Sequence, residues 1–430
     1  MVIRKAYRFR LEPDEAQQAL LHQFCGQARF VWNKALELQK RRLDGGVPLL
    51  RYGDLAKYLT LWRSSEEYGF LRQGPVHTQQ QALKRLDQAI WEGLDRNNPK
   101  GFPAFRKRGV HDSLRYPDPN QIKLDLRVWD EAGRRRLPKI FLPKVGRVKF
   151  RKTREIEGMV KNATVTRRAG HWYVSIQVEV EQELPLSKLS ITALDLGVKH
   201  LATLVDGTRI DPLFPLRRFE EKLVWEQRKL SRKKRFSRNW YQQKRRITRL
   251  HEHIANVRYD LLQKLTTRLC KNHAVIVVED LKVRSMTRSA RGTVDEPGRN
   301  VRAKSGLNKS ILDQGWGMLV EMLRYKLSWR GGMLVKVAPH HTSQRCPRCG
   351  HTDPDNRPDQ PTFRCVECGF SAHADQVGAY NILSRGMEKL RDEGWDTADA
   401  SAGWLEGWLS SHSPDRLFAE IFGESCFGRI

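Results

Sequence analysis

The sequence predicts a multidomain α/β protein. Its 430 residues exceed the usual size of one small domain. Blocks with strand-like alternation are interrupted by long stretches with helical spacing, so both kinds of element are expected. A hydrophobic content of 39% and 12 tryptophans are enough to build real cores, which excludes a chain that is disordered throughout.

The first half of the chain predicts a barrel or sandwich split by helices. Residues 3–11 alternate between apolar and basic side chains, which indicates a strand with one basic side. Pro13 then opens a helical region that continues to about residue 93. Several short alternating segments over 120–182 predict a small barrel or sandwich, and 181–188 is typical of a linker.

The second half predicts a different sheet. Strands are expected at 191–196 and 200–205, and the continuous apolar run 274–278 is typical of a buried parallel strand. A further strand is expected at 333–337 and a helix at about 375–390. The tail, 391–430, carries 8 acidic and 3 basic residues and predicts no chemistry.

Charge points to a polyanionic partner. The net charge is +29, and the segment 216–271, which lacks Gly and Pro, has 18 Lys or Arg against 5 Asp or Glu. A polar break at 231–239 predicts that one helix turns back on another. A solvated coiled arm is the alternative, but the one-sided charge favours nucleic-acid contact. Residues 284–310 are expected to form a mobile loop that touches phosphates or a plain surface loop.

Other classes are excluded. The longest apolar runs fall short of the roughly 18 residues that a membrane span needs, and the N-terminal residues have no apolar signal-peptide core. The seven cysteines are an odd, sparse set, unlike a secreted disulfide framework. We therefore expect a protein of the reducing cytosol, without a membrane partner.

Four of the cysteines predict a metal site. Cys346 and Cys349 form one C-x2-C pair, and Cys365 and Cys368 form another. Each pair is followed by a glycine that allows the backbone to turn around the thiolates. Four sulfur ligands suit a closed tetrahedral zinc site that stabilises a small ribbon, although the spacing does not exclude iron.

Three carboxylates stand out around this ribbon. Asp195 ends an apolar strand, Glu279 ends another, and Asp375 precedes the last helix. Singly, they could be a turn residue, a strand-end charge and a helix N-cap. Converging carboxylates would repel unless divalent cations lay between them, and hard oxygen ligands favour Mg²⁺ or Mn²⁺. This arrangement predicts an RNase H-like nuclease core with two ions.

These motifs resemble the TnpB family, the transposon-encoded RNA-guided DNA nucleases that are relatives of type V CRISPR effectors. The resemblance covers residues 1–390 and rests on the segments DLGVK at 195–199, VVEDL at 277–281, TSQRCPRCG at 342–350, Asp375 through Asn381-Ile382, RFVWN at 29–33 and GFPAF at 101–105.

The resemblance implies a wedge β-barrel with a helical recognition insert, a RuvC-like nuclease domain and an inserted zinc ribbon. The implied divisions are 1–12 and 116–185 for the wedge barrel, 13–115 for the recognition region, 186–340 and 372–390 for the RuvC-like domain, 341–371 for the ribbon, and 391–430 for the tail.

It also implies that Asp195, Glu279 and Asp375 are the catalytic acids that bind two Mg²⁺ ions. Expected partners are a guide RNA made from the transposon end and double-stranded target DNA with a short adjacent motif, bound by a monomer with its RNA. One departure is that Val377-Gly378-Ala379 stands where the family usually has Asn-Ala-Ala, which should affect local geometry or rate rather than metal binding.

Basic and aromatic residues are the candidates for nucleic-acid contact. They are Arg4, Arg8, Arg10, Phe102, Phe105, Arg106, Lys107, Lys233, Lys234, Arg235, Arg238, Arg245 and Arg246. Two alternatives to a guided nuclease remain open: a nuclease-inactive RNA-guided DNA-binding regulator and a DDE-type transposase.

Overall fold

The chain divides into two compact units, Met1–Glu183 and Leu184–Ile430, which are described separately below. The computed structural model describes residues 2–95, 100–110, 112–129, 136–181, 190–212, 214–392 and 414–422. Most of the predicted linker and of the acidic tail lies outside these ranges. None of the described helices combines the length and apolarity needed to span a bilayer.

The first unit is built on a seven-stranded antiparallel sheet. Its strands are β1 Val2–Glu12, β2 Ser113–Tyr116, β3 Lys123–Asp125, β4 Lys139–Leu142, β5 Gly146–Arg151, β6 Met159–Arg168 and β7 His171–Glu181. The hydrogen-bonded order is β2-β6-β7-β1-β5-β4-β3. The sheet resumes at Ser113, and the strand around residue 124 is only three residues long.

Strand β1 has the two-sided character that its alternation predicts. Ile3 and Phe9 are buried in the core, whereas Arg4 and Arg8 are exposed. Strand β1 pairs with β7 on one side and β5 on the other. It therefore joins strands that are far away in sequence, with its basic side chains outward.

Three long helices follow β1: α1 Glu15–Asp44, α2 Tyr52–Ser64 and α3 Val76–Leu94. Asp14 begins α1 with a capping box, accepting from the Gln17 amide at 2.8 Å. The helix also organises a distant turn. Asn33 donates to the Arg106 carbonyl at 3.1 Å and accepts from the Arg106 amide at 2.8 Å, while Trp32 Nε1 donates to the Ala104 carbonyl at 3.2 Å.

The second unit contains a five-stranded mixed sheet. Its strands are β8 Ser190–Asp195, β9 Ala202–Leu204, β10 Arg209–Ile210, β11 His273–Glu279 and β12 Met333–Val337. The order is β10-β9-β8-β11-β12, with β8, β11 and β12 parallel and β8, β9 and β10 antiparallel. The prediction of a buried parallel strand at 274–278 is confirmed, because this run is covered on both faces.

The described helices of this unit are α4 Pro215–Arg218, α5 Glu220–Ser231, α6 Arg238–Asn272, α7 Val283–Met286, α8 Val301–Gln314, α9 Trp316–Ser328, α10 Ala374–Asp392 and α11 Pro414–Phe422. Helix α10 covers one face of the sheet, and α6 and α9 cover the other. Val277 contacts the cluster that contains α10, and Val278 contacts the cluster that contains α6 and α9. Helix α11 packs Phe418 against Phe370, with ring centroids 5.3 Å apart.

The prediction of a loop over 284–310 was wrong in part. This stretch contains most of α7 and of α8, and Asn308 Nδ2 donates to the Thr287 carbonyl at 3.0 Å. The pattern of apolar residues did not predict α8, because a buried polar residue near its end, Asp313, attaches it to the rest of the unit. The buried Asp313 carboxylate accepts from the Leu216 amide at 3.0 Å and lies 2.5 Å from Arg258 Nη2.

Asp313→Ala should lower the free energy of unfolding of the second unit by about 3–5 kcal/mol, because it leaves the largely buried Arg258 guanidinium without a carboxylate. Urea denaturation followed by tryptophan fluorescence measures this. The control is Glu321→Ala, whose exposed pair with Arg324 should contribute less than about 1 kcal/mol. Equal losses in the two variants would contradict the anchoring role of Asp313.

Candidate metal centres

Asp195 and Glu279 lie at the same edge of the five-stranded sheet. In the parallel pairing of β8 with β11, Leu194 stands opposite Val278, so the next residue on each strand is an acid. Neighbouring strands lie about 4.8 Å apart in this direction. The backbone register therefore places these two carboxylates side by side at the carboxyl ends of their strands.

Asp375 comes to this edge from helix α10. It lies in the first turn of the helix, which packs against β8, β11 and β12. Its amide donates to His373 Nδ1 at 3.2 Å, and Arg357 Nη2 lies 3.8 Å from its Oδ1. Asp375 is thus held between a helix N-terminus and a guanidinium group, two features that favour a negative charge.

The electrostatics show that the acids share one environment. Burial, with the charges of Glu279 and Asp375 as smaller contributions, raises the pKa of Asp195 to about 7, and Arg357 opposes the shift. Burial also raises the pKa of Glu279, against a hydrogen bond from Thr342 and the charge of Arg385. In the absence of a cation, this environment opposes ionisation of Asp195 and Glu279.

Thr342 and Asn381 hold this edge together, a role that the sequence did not predict. Thr342 Oγ1 donates to Glu279 Oε1 at 2.6 Å. Asn381 Nδ2 in turn donates to the carbonyls of Thr342 at 2.7 Å and Arg345 at 2.8 Å. Both residues belong to segments that carry the family resemblance, and this membership is the sequence feature that could have identified them as part of the site.

The departure at 377–379 has a steric consequence. Val377 is fully buried in the core beneath α10. A Cβ atom on Gly378 would lie 3.0 Å from Asp195 Oδ2, which is tighter than ordinary packing. Gly378 therefore allows α10 to approach the Asp195 carboxylate more closely than an alanine would.

The four predicted cysteines meet in two matching turns. In each turn the glycine amide donates to the carbonyl of the first cysteine at 3.0 Å, and both glycines have a positive φ, 76° at Gly350 and 68° at Gly369. The amide of the first cysteine donates at 2.8 Å to a carbonyl beyond the turn, that of His351 or Phe370. The expectation that glycine lets these turns close is confirmed.

The spacing of the thiols fits a tetrahedral ion. The Sγ atoms of Cys346 and Cys368 are 3.6 Å apart, as are those of Cys349 and Cys365. Ligands at about 2.3 Å from zinc would be about 3.8 Å apart. Within the described ranges, these cysteines are the one group of three or more potential ligands that could hold a metal ion, and their ligand atoms all lie within 4.8 Å of one another.

The candidate arginines of β1 already have partners in the first unit. Arg4 forms an ion pair with Glu179 at 3.0 Å, and Arg10 lies 3.3 Å from Glu12. The Arg8 guanidinium lies 5.2 Å from the ring of Tyr173. These side chains remain on the basic side of the strand, but their charges are partly engaged.

The candidates in the 102–107 turn differ from one another. Phe102 packs against the helical core, whereas Phe105 is exposed next to Lys40. The Arg106 guanidinium lies 3.5 Å from the Trp32 ring, and burial lowers its pKa to about 10. Arg106 is therefore largely a structural residue, while Lys107 is exposed.

The remaining candidates lie on the arm formed by helices α5 and α6, residues 220–272. Helices α5 and α6 are joined by the turn that the polar break predicted. In the described part of the chain, none of the six candidate side chains on this arm forms an ion pair with a carboxylate. The six are Lys233, Lys234, Arg235, Arg238, Arg245 and Arg246. All are exposed except Lys233, which is half-buried.

Asp195→Asn should raise the melting temperature of the metal-free protein at pH 8 by roughly 5 °C. The folded pKa of Asp195 is about 7, against about 3.9 for an unfolded aspartate, so stability falls as the pH rises from about 4 to about 7. Calorimetry at several pH values measures the gain, which should vanish near pH 4. A gain that is the same at every pH, or one matched by the exposed control Asp260→Asn, would contradict the electrostatic origin.

Three family models match the chain. The OrfB_IS605 model, described as "Probable transposase", matches residues 174–290, and the Cas12f1-like TNB domain matches 316–382. A model described as a helix-turn-helix domain, HTH_OrfB_IS605, matches residues 1–46. The described residues of this last segment form strand β1 and one long helix, α1, rather than two short helices.

Curated relatives match most of the chain. An Escherichia coli (strain K12) protein named "Putative RNA-guided DNA endonuclease InsQ" is 46% identical, over 90% of this chain and 93% of its own length. A Streptomyces pristinaespiralis protein named "Putative RNA-guided DNA endonuclease" is 29% identical over 90% of each chain. A TnpB-like protein of Methanocaldococcus jannaschii, MJ1635, is 31% identical over 34% of this chain and 31% of its own.

A solved structure shares the fold. It is the cryo-EM structure of a Cas12f1–sgRNA–target DNA complex, with a TM-score of 0.53 and 14% identity, covering 89% of this chain and 98% of that one. The matches to the OrfB_IS605 and Cas12f1-like models agree with this likeness. Since the 46%-identical relative is covered over nearly its whole length, the chain belongs to the TnpB family, which is related to Cas12f.

Proposed function

We propose that this chain is an RNA-guided DNA endonuclease, the activity that the names of its full-length relatives state for them. The observation that carries the proposal is the meeting of Asp195, Glu279 and Asp375 at one sheet edge, where burial and, to a smaller extent, the charges of the other two acids raise the pKa of Asp195. A chain with a net charge of +29 is suited to the polyanionic substrate that such a site requires.

We assign the second unit to a RuvC-like, RNase H-like nuclease domain. Support comes from its sheet, in which an antiparallel hairpin precedes two parallel strands, and from the acids at the ends of β8 and β11. The seven-stranded sheet of the first unit would be the wedge domain and helices α1–α3 its recognition insert. We further propose the domain bounds that the family resemblance implies, from 1–12 for the first wedge strand and 13–115 for the recognition region to 391–430 for the tail.

Two Mg²⁺ ions, or Mn²⁺ in their place, fit the donor set of the three acids. Their oxygens are hard ligands of the kind that both ions prefer, and three acids at one edge could serve two ions. When bound, such ions supply an activated water and neutralise the charge on the leaving 3′-oxygen of a phosphodiester. They would also remove the repulsion that contributes to the raised Asp195 pKa.

The residues of this chain have separate tasks in the proposed reaction. Asp195, at the end of β8, would be one ligand of the ions, and Glu279 is held in one orientation by Thr342. Arg357, 3.8 Å from Asp375, limits the negative charge of the site before cations arrive. The rigid strands and α10 fix the carboxylates in advance, so little reorganisation is needed.

The proposed partners are a guide RNA from the transposon end and double-stranded DNA that carries a short flanking motif. Base pairing would supply sequence specificity, while the protein binds backbone and the flanking motif. The exposed cations of the α5–α6 arm would hold phosphates. We also propose that the four cysteines bind a structural zinc, that the protein acts as a monomer with its RNA, and that it works in the prokaryotic cytosol or nucleoid.

Asp195→Ala should reduce DNA cleavage by at least roughly 100-fold, since it removes a ligand rather than an outer-shell group. Binding of the guide RNA should be unchanged, because RNA contacts are assigned to the basic surfaces. The assay purifies the protein with its bound RNA, sequences that RNA, and measures Mg²⁺-dependent cutting of a plasmid with the matching target.

The matched control for this assay is Asp260→Ala, an exposed acid of the same unit, which should cut at the wild-type rate. Cutting by Asp195→Ala at that rate would contradict the assignment. The products also separate the alternatives, because a DDE-type transposase joins DNA ends and an inactive regulator binds target DNA without cutting it.

Replacing both Cys346 and Cys349 with Ser should remove one zinc per chain, measured by mass spectrometry of the metal. The melting temperature should fall as well, because a closed site with four thiolate ligands contributes folding energy. The control, Cys270→Ser, removes a buried cysteine outside the ribbon and should keep the metal. Zinc loss without any change in stability or solubility would show that the ribbon does not need its ion.

A further inference from the structure

The tip of the α5–α6 hairpin, residues 231–241, exposes aromatic rings among cations. Phe236 is 63% exposed and Tyr241 is 48% exposed. The segment from Ser231 to His251 has nine Lys or Arg and no acidic residue. Charged side chains alone are enough to keep a helical turn soluble. The exposure of large aromatic rings at the same turn therefore needs another explanation, such as a binding partner.

Phe236 also has an unfavourable backbone conformation. Its φ is 66°, a left-handed value that favours glycine or asparagine and is uncommon for a bulky side chain. The turn is closed by the Ser237 amide, which donates to the Lys234 carbonyl at 3.1 Å. Ser237 then caps α6 by accepting from the Trp240 amide at 3.1 Å. These bonds fix Phe236 in the turn between the two helices, where its ring stays largely in solvent.

The Phe236 and Trp240 rings each lie near a cation. The Arg235 guanidinium lies 4.9 Å from the Phe236 ring, and Lys244 Nζ lies 5.0 Å from the Trp240 ring. The Phe236 and Trp240 rings are 5.7 Å apart and tilted by 58°. Alternating rings and cations are the elements that single-strand binding surfaces use, with rings for bases and cations for phosphates.

We propose that the hairpin tip binds single-stranded nucleic acid, with Phe236 stacked on an unpaired base and Lys234, Arg235 and Arg238 at the flanking phosphates. This inference rests on the proposed function, which brings both RNA and displaced DNA to the protein. Bases within a duplex are stacked on each other and cannot meet an exposed ring. The strained backbone of Phe236 is then a functional feature, because it holds the ring outward.

Fluorescence anisotropy of the full-length protein with labelled short oligonucleotides tests the proposal. The probes are single-stranded RNA, single-stranded DNA and a DNA duplex, all at one salt concentration. Phe236→Gly should weaken binding of a single strand by about 5-fold or more, since stacking of one base is lost. Binding of the duplex should change by less than about 2-fold, because its contacts are to phosphates.

Two further variants separate stacking from folding. Phe236→Gly should not lower the melting temperature, because glycine accepts the left-handed backbone without strain. Phe236→Leu keeps bulk and backbone strain but has no aromatic face, so it should lose affinity as the glycine variant does. Phe236→Trp should bind at least as well as the wild type.

Several results would overturn the proposal: unchanged single-strand affinity in Phe236→Gly, equal losses for single strand and duplex, or stronger binding of wild-type protein to anionic lipid vesicles than to single strands. A preference for the RNA or the DNA probe would support it and identify the strand. The plasmid-cutting assay is independent, so wild-type protein that binds single strands yet never cuts would refute the proposed function alone.

Discussion

Burial of neighbouring acidic side chains at one sheet edge shapes the second unit, and at Asp195 the charges of Glu279 and Asp375 add a smaller repulsion. Asp195 and Glu279 cannot separate, because they end neighbouring strands in fixed register. Asp375 cannot move away without shifting α10, which packs across the same sheet. The fold thus stores an unfavourable charge arrangement, visible as the raised pKa of Asp195, that a divalent cation would relieve.

The cysteine ribbon lies between two parts of this site along the chain. Strand β12 leads to Thr342, which holds Glu279, and the ribbon then leads to α10, which carries Asp375. Asn381 closes the loop by binding the Thr342 and Arg345 carbonyls at the start of the ribbon. The ribbon turns depend mainly on their own glycines and backbone bonds. The ribbon is nevertheless packed on the core of this unit, because Phe363 lies in the hydrophobic cluster that contains α10, and its Arg357 lies 3.8 Å from Asp375.

The sequence predicted much of this site because its signals are local. Apolar runs marked β8 and β11, the acid at each strand end broke the run, and the C-x2-C pairs define their own chemistry. Contacts between segments that are distant in sequence leave no local pattern from which they could be predicted. Thr342 on Glu279 and Gly378 beside Asp195 join residues whose proximity exists only in the folded sheet. Helix α8 escaped notice because its anchor is Asp313, a polar residue that apolar periodicity does not count.

If the three carboxylates share divalent cations, Mn²⁺ should bind between them. Anomalous diffraction from the protein bound to RNA and target DNA in Mn²⁺ would locate the ions without any assumption about ligands. We expect manganese peaks in contact with Asp195, Glu279 and Asp375, and their loss from crystals of the Asp195→Ala variant. Manganese bound elsewhere, or one of the three side chains turned away in that complex, would contradict it.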